Sequence, residues 1–425
     1  MRRRNFLATS LAAAGLAGGG NRGQVELDRD ICQVVFDSNL AGKGLLAVYA
    51  DGLDAKDSVD PTETTTPVQD AIDVVAGSGG GVVVLPPTPV QESETIKLRS
   101  SVSVYGHGVQ CSIIEFTQGG IDGIHFDSAA NGGSPVSKCN LDGFSLMGPW
   151  VDGVTETGSA MRHVGGFTHD ISIGHLMFSF WTDAVYRVDR GVAPFQITWE
   201  QMTIYECDAG DSVADNADHW GSEGGLIIWD EYVGPANVFG IITAYPVSRR
   251  SGVRSNLLYA KGGDFVVGHM NLGESIGSVV IGHDDLALNV EHVNWEPSGE
   301  LVSFSEPLFK FAGCRHRKYV GNIQIATDTA PGIVQIDPDW WAGTAGGNVY
   351  LGTVSFVRGD LDGDCIRFTN GDIGAPVYFE GTSDGVNNET GSELSHPVVC
   401  LAEGAWKTST GTGLTRGVDR YVGTY

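Results

Sequence analysis

The sequence predicts an all-β protein, a parallel β-helix whose coils stack beneath a short capping helix at the N-terminal end. Three features predict it. Brief β-rich runs recur along most of the chain, a short helical stretch stands just before an apolar burst, and no hairpin signal joins the brief strands that follow that burst. The chain holds 60 Gly in 425 residues and its strand-like runs far outnumber helical patterns, which favours one long solenoid over two α/β domains.

The helical stretch comes first. Thr64-Thr65-Thr66-Pro67 precedes Val68, Ala71, Ile72 and Val75 at helical spacing. A hydroxyl residue followed by Pro suits a helix start, because the N–H that Pro lacks would be unpaired there in any case. Gly77-Ser78-Gly79-Gly80-Gly81 ends it, since Gly is the least strained residue beyond a helix C-terminus. The apolar burst Val82-Val83-Val84-Leu85 and Pro86-Pro87 follow, then short strands over 95–98 and 102–105, Gly106-His107-Gly108, and a strand from Cys111 to Phe116.

Asp51-Gly52, Thr66-x-x-Gln69-x-Ala71-Ile72-Asp73 and Gly79-Gly80-Gly81-Val82-Val83-Val84-Leu85-Pro86-Pro87 together resemble the opening of the pectate-lyase superfamily. In particular they resemble the opening module shared by rhamnogalacturonase- and epimerase-like proteins, family-28-related glycosidases and many tailspikes. The resemblance implies a right-handed single-stranded parallel β-helix. It spans hydrolases, lyases, epimerases and adhesins, so it leaves the chemistry open.

Downstream, β-rich runs recur at 123–126, 141–146, 171–178, 184–188, 195–205, 226–229 and 238–245. They continue at 257–260, 265–270, 279–281, 286–295, 308–311, 320–325, 333–336, 349–357, 365–368 and 375–379. Corresponding runs fall roughly 22–30 residues apart, the period of coils that bury their apolar side only against neighbours above and below. About 300 residues at about 25 per coil gives on the order of 12 coils and a rod some 55 Å long. Alternation places every second residue of Ile171-x-Ile173 and Ile323-x-Ile325 in the lumen. A β-sandwich or propeller is the competing architecture, and the lack of tight hairpin turns and blade repeats counts against it. The helix guards one end of the stack against edge pairing. The organisation expected is a signal at 1–20, a connector at 21–44, the β-helix at 45–403 with its opening module at 45–116, and a tail or cap at 404–425. That tail, with Trp406 and Tyr421, either covers the other end or packs on another subunit, as in a homotrimer.

The net charge is −26, and of 26 basic residues only 8 are Lys. Such an excess repels itself at low salt. In molar salt the Debye length is about 3 Å, and the carboxylates keep the surface hydrated instead. A brine protein is the reading, with an acidic secreted protein at ordinary salinity as the alternative. This field excludes nucleic acid as a partner. Arg2-Arg3-Arg4-Asn5-Phe6-Leu7 followed by the small, mildly apolar stretch 8–20 resembles a twin-arginine export signal, giving a secreted, extracellular protein. That stretch is too short to span a bilayer and no other is long and apolar enough, so no membrane insertion is expected. The seven cysteines are dispersed without a C-x-x-C pair, which excludes a zinc ribbon and suggests free thiols buried in the stack.

The longest polar interruption runs from Glu206-Cys207-Asp208-Ala209-Gly210-Asp211 through His219-Trp220 to Glu223, and Asp230-Glu231 closes the next strand. Long loops in compact folds tend to be functional. Glycoside hydrolysis needs a proton-donating carboxyl and a second carboxylate that activates water or attacks carbon. Glu206, Asp208, Asp211, Asp230 and Glu231 are the candidates, with His219 as a polar contact and Trp220 or Trp229 stacking on a sugar. A solvated acidic loop is the plain alternative in a chain with 52 acidic residues. A polysaccharide lyase would instead need a cation on a uronate carboxylate, and Arg249 and Arg250, with Arg254 close by, are rare cations in a cluster. Arg315-His316-Arg317-Lys318 reads as a solvated turn.

No cofactor is required, no metal ligand is assigned, and Ca²⁺ enters only as an optional partner of the lyase reading. Asp360-x-Asp362-Gly363-Asp364 lacks the Gly position and final Glu of a Ca²⁺ loop and reads as an Asp-rich turn. Gly106-His107-Gly108 is similar to a family-28 polygalacturonase motif, but it precedes all candidate acids and has no Asn-Thr-Asp or Arg-Ile-Lys companion, so it reads as a turn. His163, His169, His175, His269 and His283 read as satisfied strand-end residues, and Glu291, Trp295 and Glu296 as a third groove candidate. The expected function is action on extracellular polysaccharide. Hydrolysis by a carboxylate pair comes first and elimination second, and a non-catalytic glycan-binding or spike-like β-helix is the alternative class.

Overall fold

The computed structural model describes residues 23–25, 34–36, 46–49, 58–59, 64–150, 157–208, 225–231, 237–246, 255–273, 276–296, 307–311, 318–330, 334–336, 349–352 and 354–361, and short strands at 366–368, 377–379, 386–388, 398–400 and 409–410. Residues 1–20, read from sequence as an export signal, and Trp406 and Tyr421 lie outside them. From Gly81 onward every described strand pairing is parallel except the contact of Gly81–Val84 with Leu46–Tyr49. The protein is the expected parallel β-helix. Antiparallel pairing is confined to its beginning: Gly23–Val25 with Val34–Phe36, and Leu46–Tyr49 with Ser58–Val59 and Gly81–Val84. The run at 45–49 therefore lies across the first rung and covers its edge, instead of opening a coil.

Each coil passes through three sheets, as three short strands in the first coils and, in the middle of the stack, as a short strand and a long strand bent in two. There the short strands form a first sheet, and the two halves of the long strands form a second and a third. Where the sequence suggests separate runs at 257–260 and 265–270, the chain makes one continuous strand, Leu258–Leu272. A column through the second sheet links Val83, Val104, Leu141, Ile173, Trp199, Phe239, Val267, Val290, Val320 and Leu351. All are at most 2% exposed, so this column faces the lumen. From Leu141 on, neighbours in it are 23 to 40 residues apart, the largest gap spanning the long interruption after Tyr205. The lumen tolerates such insertions because only the strand residues must keep register.

The first sheet counts the coils. Ile96, Ile124, Met161, Tyr186, Ile227, Leu258, Val280, Phe309, Val334, Ile366, Val386 and Ser409 form one column of twelve. At about 4.8 Å per rung the column is about 53 Å long. Its last member places a rung inside the segment assigned to the tail. The corner between second and third sheets falls at Asp142, Gly174, Glu200, Gly240, Gly268, Glu291, Gly321 and Gly352, one per rung. A Cβ at Gly321 would stand 2.3 Å from the Glu291 carbonyl oxygen below it. Glycine lets the backbone turn there against the neighbouring rung.

Helix α1, Pro67–Gly77, buries Val68, Ala71, Ile72 and Val75 over the first rung, with Pro67 in its first turn as expected. Its capping differs from expectation. The Thr64 and Thr66 hydroxyls both donate to the Asp70 carboxylate, at 2.6 and 3.2 Å, and the Val68 N–H donates instead to Glu92 Oε2 at 2.9 Å. Glu92 comes from the strand Val90–Glu92, so the lid is tied to the stack by a carboxyl 24 residues away. Burial, opposed by the Val68 and Gln69 amides, pushes the Glu92 carboxyl up to about 8 from 4.5. Between those values the folded protein holds a proton that the unfolded chain has released, so this group's stabilisation is complete below pH 4.5 and is lost as pH rises to about 8. Wild-type stability, relative to that of Glu92→Gln, is expected to fall by about 2–3 kcal/mol between pH 5 and 7. Chemical denaturation at the two pH values measures it, and parallel curves for both proteins would remove Glu92 as the pH-sensitive anchor.

Histidine 163 lies in the lumen and not at a strand end facing water. Its ring stacks on Phe126 at 4.1 Å, and its nitrogens bond to Thr168 Oγ1 and the Tyr186 hydroxyl, each at 2.9 Å. Burial lowers its pKa to about 3, so it stays neutral. Cys139 and Cys207 are buried free thiols and Cys111 is an exposed one.

Candidate functional site

The first sheet turns its middle residues outward. Each sits between two inward residues, as in Ile96-Lys97-Leu98, Ile124-His125-Phe126, Met161-Arg162-His163 and Tyr186-Arg187-Val188. Parallel pairing in register stacks these four into a single column, Lys97–His125–Arg162–Arg187. The column continues through Ile228, Tyr259 and Ile281 to Lys310. Ile228, Tyr259 and Ile281 form, with Ala184, a second apolar cluster separate from the lumen and fully covered. The part of the column that reaches water is therefore its beginning, Lys97, His125 and Arg162, while Arg187 is buried between carboxylates.

Acids line both edges of that stretch. His125 Nε2 lies 2.6 Å from Asp122 Oδ2, and Arg162 Nη1 donates to the same oxygen at 3.3 Å. Arg162 Nε also donates to both Asp189 oxygens, at 3.1 and 3.0 Å. Arg187 Nε donates to Asp189 Oδ1 at 3.1 Å, and its Nη1 is 3.9 Å from Asp183 Oδ1. Asp183 precedes the strand Tyr186–Val188 and Asp189 follows it, so Arg187 lies between the two carboxylates. Ser159 closes the network, its N–H donating to Asp122 Oδ1 at 2.6 Å and its hydroxyl to Asp183 Oδ2 at 2.7 Å. Burial acts to raise the Asp122 pKa, but the His125 bond, the Ser159 amide and the His125 and Arg162 charges together hold it below the usual carboxylate range. Burial likewise opposes the Arg162 charge, and Asp189 and Asp122 outweigh it, so that guanidinium stays ionised.

The residues singled out from sequence fall in several places. Asp230 is fully buried and ion-paired with the Lys261 ammonium, which is buried as well. Such a carboxylate is a structural ion, out of reach of a glycosidic bond. Trp229 is a correction too. Its indole is in the lumen, edge-on to Phe265 at 5.0 Å, where no sugar ring can stack. Glu231 is part-exposed and accepts the Gly191 N–H at 2.5 Å, which places it at the edge of the charged column, one rung beyond Asp189. Glu206 and Asp208 flank buried Cys207 just past the end of Ala193–Tyr205, their N–H groups bonded to the carbonyls of Tyr245 and Trp181 at 3.0 and 2.8 Å. Asp211, His219, Trp220, Arg249 and Arg250 lie outside the described residues.

Trp295, of the third groove candidate, is fully buried, whereas Glu291 and Glu296 are exposed. His107 is exposed in a turn held by its N–H bond to Ser112 Oγ at 2.9 Å. Among the described residues no three His, Cys, Asp or Glu side chains converge as a metal site, and no helix is long and apolar enough to cross a membrane.

Asp122, His125, Ser159, Arg162, Asp183, Arg187 and Asp189 were not foreseen. The signal for them was an apolar–basic–apolar triplet repeating in a chain poor in cations, seen again at Phe309-Lys310-Phe311 and Ile366-Arg367-Phe368.

No known family and no curated protein matches the chain. Among solved structures it is similar to the catalytic unit of a thermostable GH87 α-1,3-glucanase from Streptomyces thermodiastaticus strain HF3-3, at 14% identity and a TM-score of 0.33, over 84% of this chain and 66% of that one. It is also similar to the A-modules of two Azotobacter vinelandii mannuronan C-5 epimerases. AlgE4 matches at 15% identity and a TM-score of 0.35 over 81% of this chain and 95% of the module. AlgE6 matches at 15% and 0.28 over 84% and 95%. The protein is, by its own strand pairing, a parallel β-helix with a charged outer face.

Proposed function

We propose that this protein acts outside the cell, in brine, on an anionic polysaccharide laid along the first sheet, and that its chemistry begins by removing the proton beside a uronate carboxylate. One observation carries the reading. In a chain with 26 Lys and Arg among 425 residues, four successive rungs direct Lys97, His125, Arg162 and Arg187 into one outward column. The rungs repeat at about 4.8 Å, so an extended anionic chain meets Lys97, His125 and Arg162 on three successive rungs, while Arg187, 7% exposed, supports the column from beneath.

Arg162 is the charge partner of the substrate carboxylate. It stabilises the negative charge that grows there as the proton leaves. His125 is the base. In the tautomer that donates Nε2–H to Asp122, its Nδ1 lone pair is left to accept the proton. In elimination the C5–H pair becomes a C4–C5 double bond, the C4–oxygen bond breaks, and the departing oxygen takes a proton from the imidazolium or water. Hydrolysis asks for a carboxyl held neutral, and Asp122, Asp183 and Asp189 beside this column are paired with cations instead. That favours elimination over the carboxylate-pair reading.

The test is incubation of the protein in molar salt with polygalacturonate, alginate and neutral glucans, reading ultraviolet absorbance of unsaturated uronate and new reducing ends together. The expected result is both signals on a polyuronate. Reducing ends without absorbance would move the reaction to hydrolysis, and neither signal on any polymer would leave a binding protein.

A further inference from the structure

The outer face of the third sheet is built unlike the rest of this acidic surface. Its outward positions over five successive rungs are Gln201, Thr203 and Tyr205; Ile241, Thr243 and Tyr245; His269 and Asn271; His292 and Asn294; and Asn322 and Gln324. None of these is Asp, Glu, Lys or Arg, although 52 residues of the chain are acidic, and the position of Tyr205 and Tyr245 passes through Gly273 to Glu296, where the uncharged face ends. The acids stop at its borders, with Glu200 and Glu291 at the corner and Glu206 and Glu296 at the far ends. Three of the six large hydrophobic side chains exposed among the described residues lie here, Tyr205 at 45%, Ile241 at 39% and Tyr245 at 43%, and Val238 adjoins them.

The face is ordered by its own contacts. His175 Nε2, one rung earlier, meets Thr203 Oγ1 at 3.0 Å, His269 Nε2 meets Asn271 Oδ1 at 2.8 Å, and the rings of His269 and His292 lie 4.5 Å apart. Tyr205 and Tyr245 are register partners on adjacent rungs. The Tyr245 ring lies over Gly273 of the next rung, in the space a side chain there would fill. This makes two phenol rings at one end of a ladder of hydroxyl, amide and imidazole groups.

We infer that this face is a second binding surface, separate from the charged column, and that its ligand is a neutral polysaccharide. Sugar rings offer apolar faces to aromatic side chains and hydroxyls to amides and alcohols, which both donate and accept. A face without charge matches a polymer without charge, and its contacts persist where salt screens ion pairs. A second copy of the chain is the less fitting occupant. Five rungs at about 4.8 Å and five residues at about 3.3 Å cover about 400 Å². A stable protein pair needs about 800 Å² from each partner.

The test is retention of the full-length protein on insoluble cellulose, starch and chitin in molar NaCl, comparing wild type with Tyr205→Ala/Tyr245→Ala. The expected result is retention on at least one polymer, weakened about tenfold or more in the double variant, with an unchanged melting temperature and little change between moderate and saturating salt. No retention on any of the three, or equal retention of the variant, overturns the inference. A concentration-dependent dimer in sedimentation, abolished by the same substitutions, overturns it in favour of a second copy. Loss of turnover on polyuronate in the double variant would merge this face with the charged column and overturn their separation.

Discussion

Replacing His125 by Ala is expected to lower kcat/KM on a polyuronate by about 10³-fold, the usual range for loss of a positioned general base. The side chain is 19% exposed and bonded to Asp122, so melting should fall modestly and turnover is compared well below both transitions. Arg162→Gln should cost about 10²–10³-fold, because the charge facing the substrate carboxylate goes while a hydrogen-bonding group remains. Arg162 also holds Asp122 and Asp189, so its loss rearranges both acids. Asp122→Asn provides the control for a positioning role. It keeps the shape beside His125 Nε2 but no longer demands the Nε2–H tautomer. Its effect should appear in kcat and in the pH profile more than in KM. Full turnover in His125→Ala would end the proposed chemistry at this face, whatever the other variants did.

Asp230→Ala is expected to destabilise the fold by about 3–5 kcal/mol, since it leaves the Lys261 ammonium buried without its counter-ion. Replacing both partners, as Asp230→Leu/Lys261→Met, should recover most of that loss or even exceed wild type, because desolvating two ions costs nearly as much as their attraction returns. Denaturant titration of the three proteins measures the difference. The same series decides the role of Asp230. A structural ion loses stability first and activity only with it, whereas an Asp230→Asn protein that melts like wild type and turns over nothing would return this carboxylate to the reaction.

Much of the architecture is legible in residue order because its causes are local or periodic. The start at Pro67, the glycine stop after Gly77 and the apolar run at Val82 each express a short-range preference. The alternation at Ile171 and Ile173 follows from the pleat. The lid's true cap was not legible. Thr66 has the chemistry of a cap, yet the bond goes to Glu92, which no spacing rule connects to Val68. Trp229 and Trp295 misled for a related reason. An indole near a strand end suits either a sugar or a lumen, and only the direction of the pleat at that rung distinguishes them.

The charged column makes the same point for function. Polar loops attract attention in a sequence, whereas Lys97, His125, Arg162 and Arg187 are lone basic residues inside apolar triplets, 25 to 37 residues apart. Read with the coil period in mind, the repeated triplet could have been found. Which acids meet them could not, because Asp122, Asp183 and Asp189 come from the turns on either side of the strands.

By itself the order of residues determined the stacked coils, their number and the acidic surface that carries them, since periodicity and composition act without regard to distant partners. Tertiary structure alone decided which side chains share a face, which carboxylates are spent on buried or bridging cations, and which aromatics reach water. Parallel register joins residues that are tens of positions apart, and a slip of one residue would turn each of them to the opposite side of the sheet.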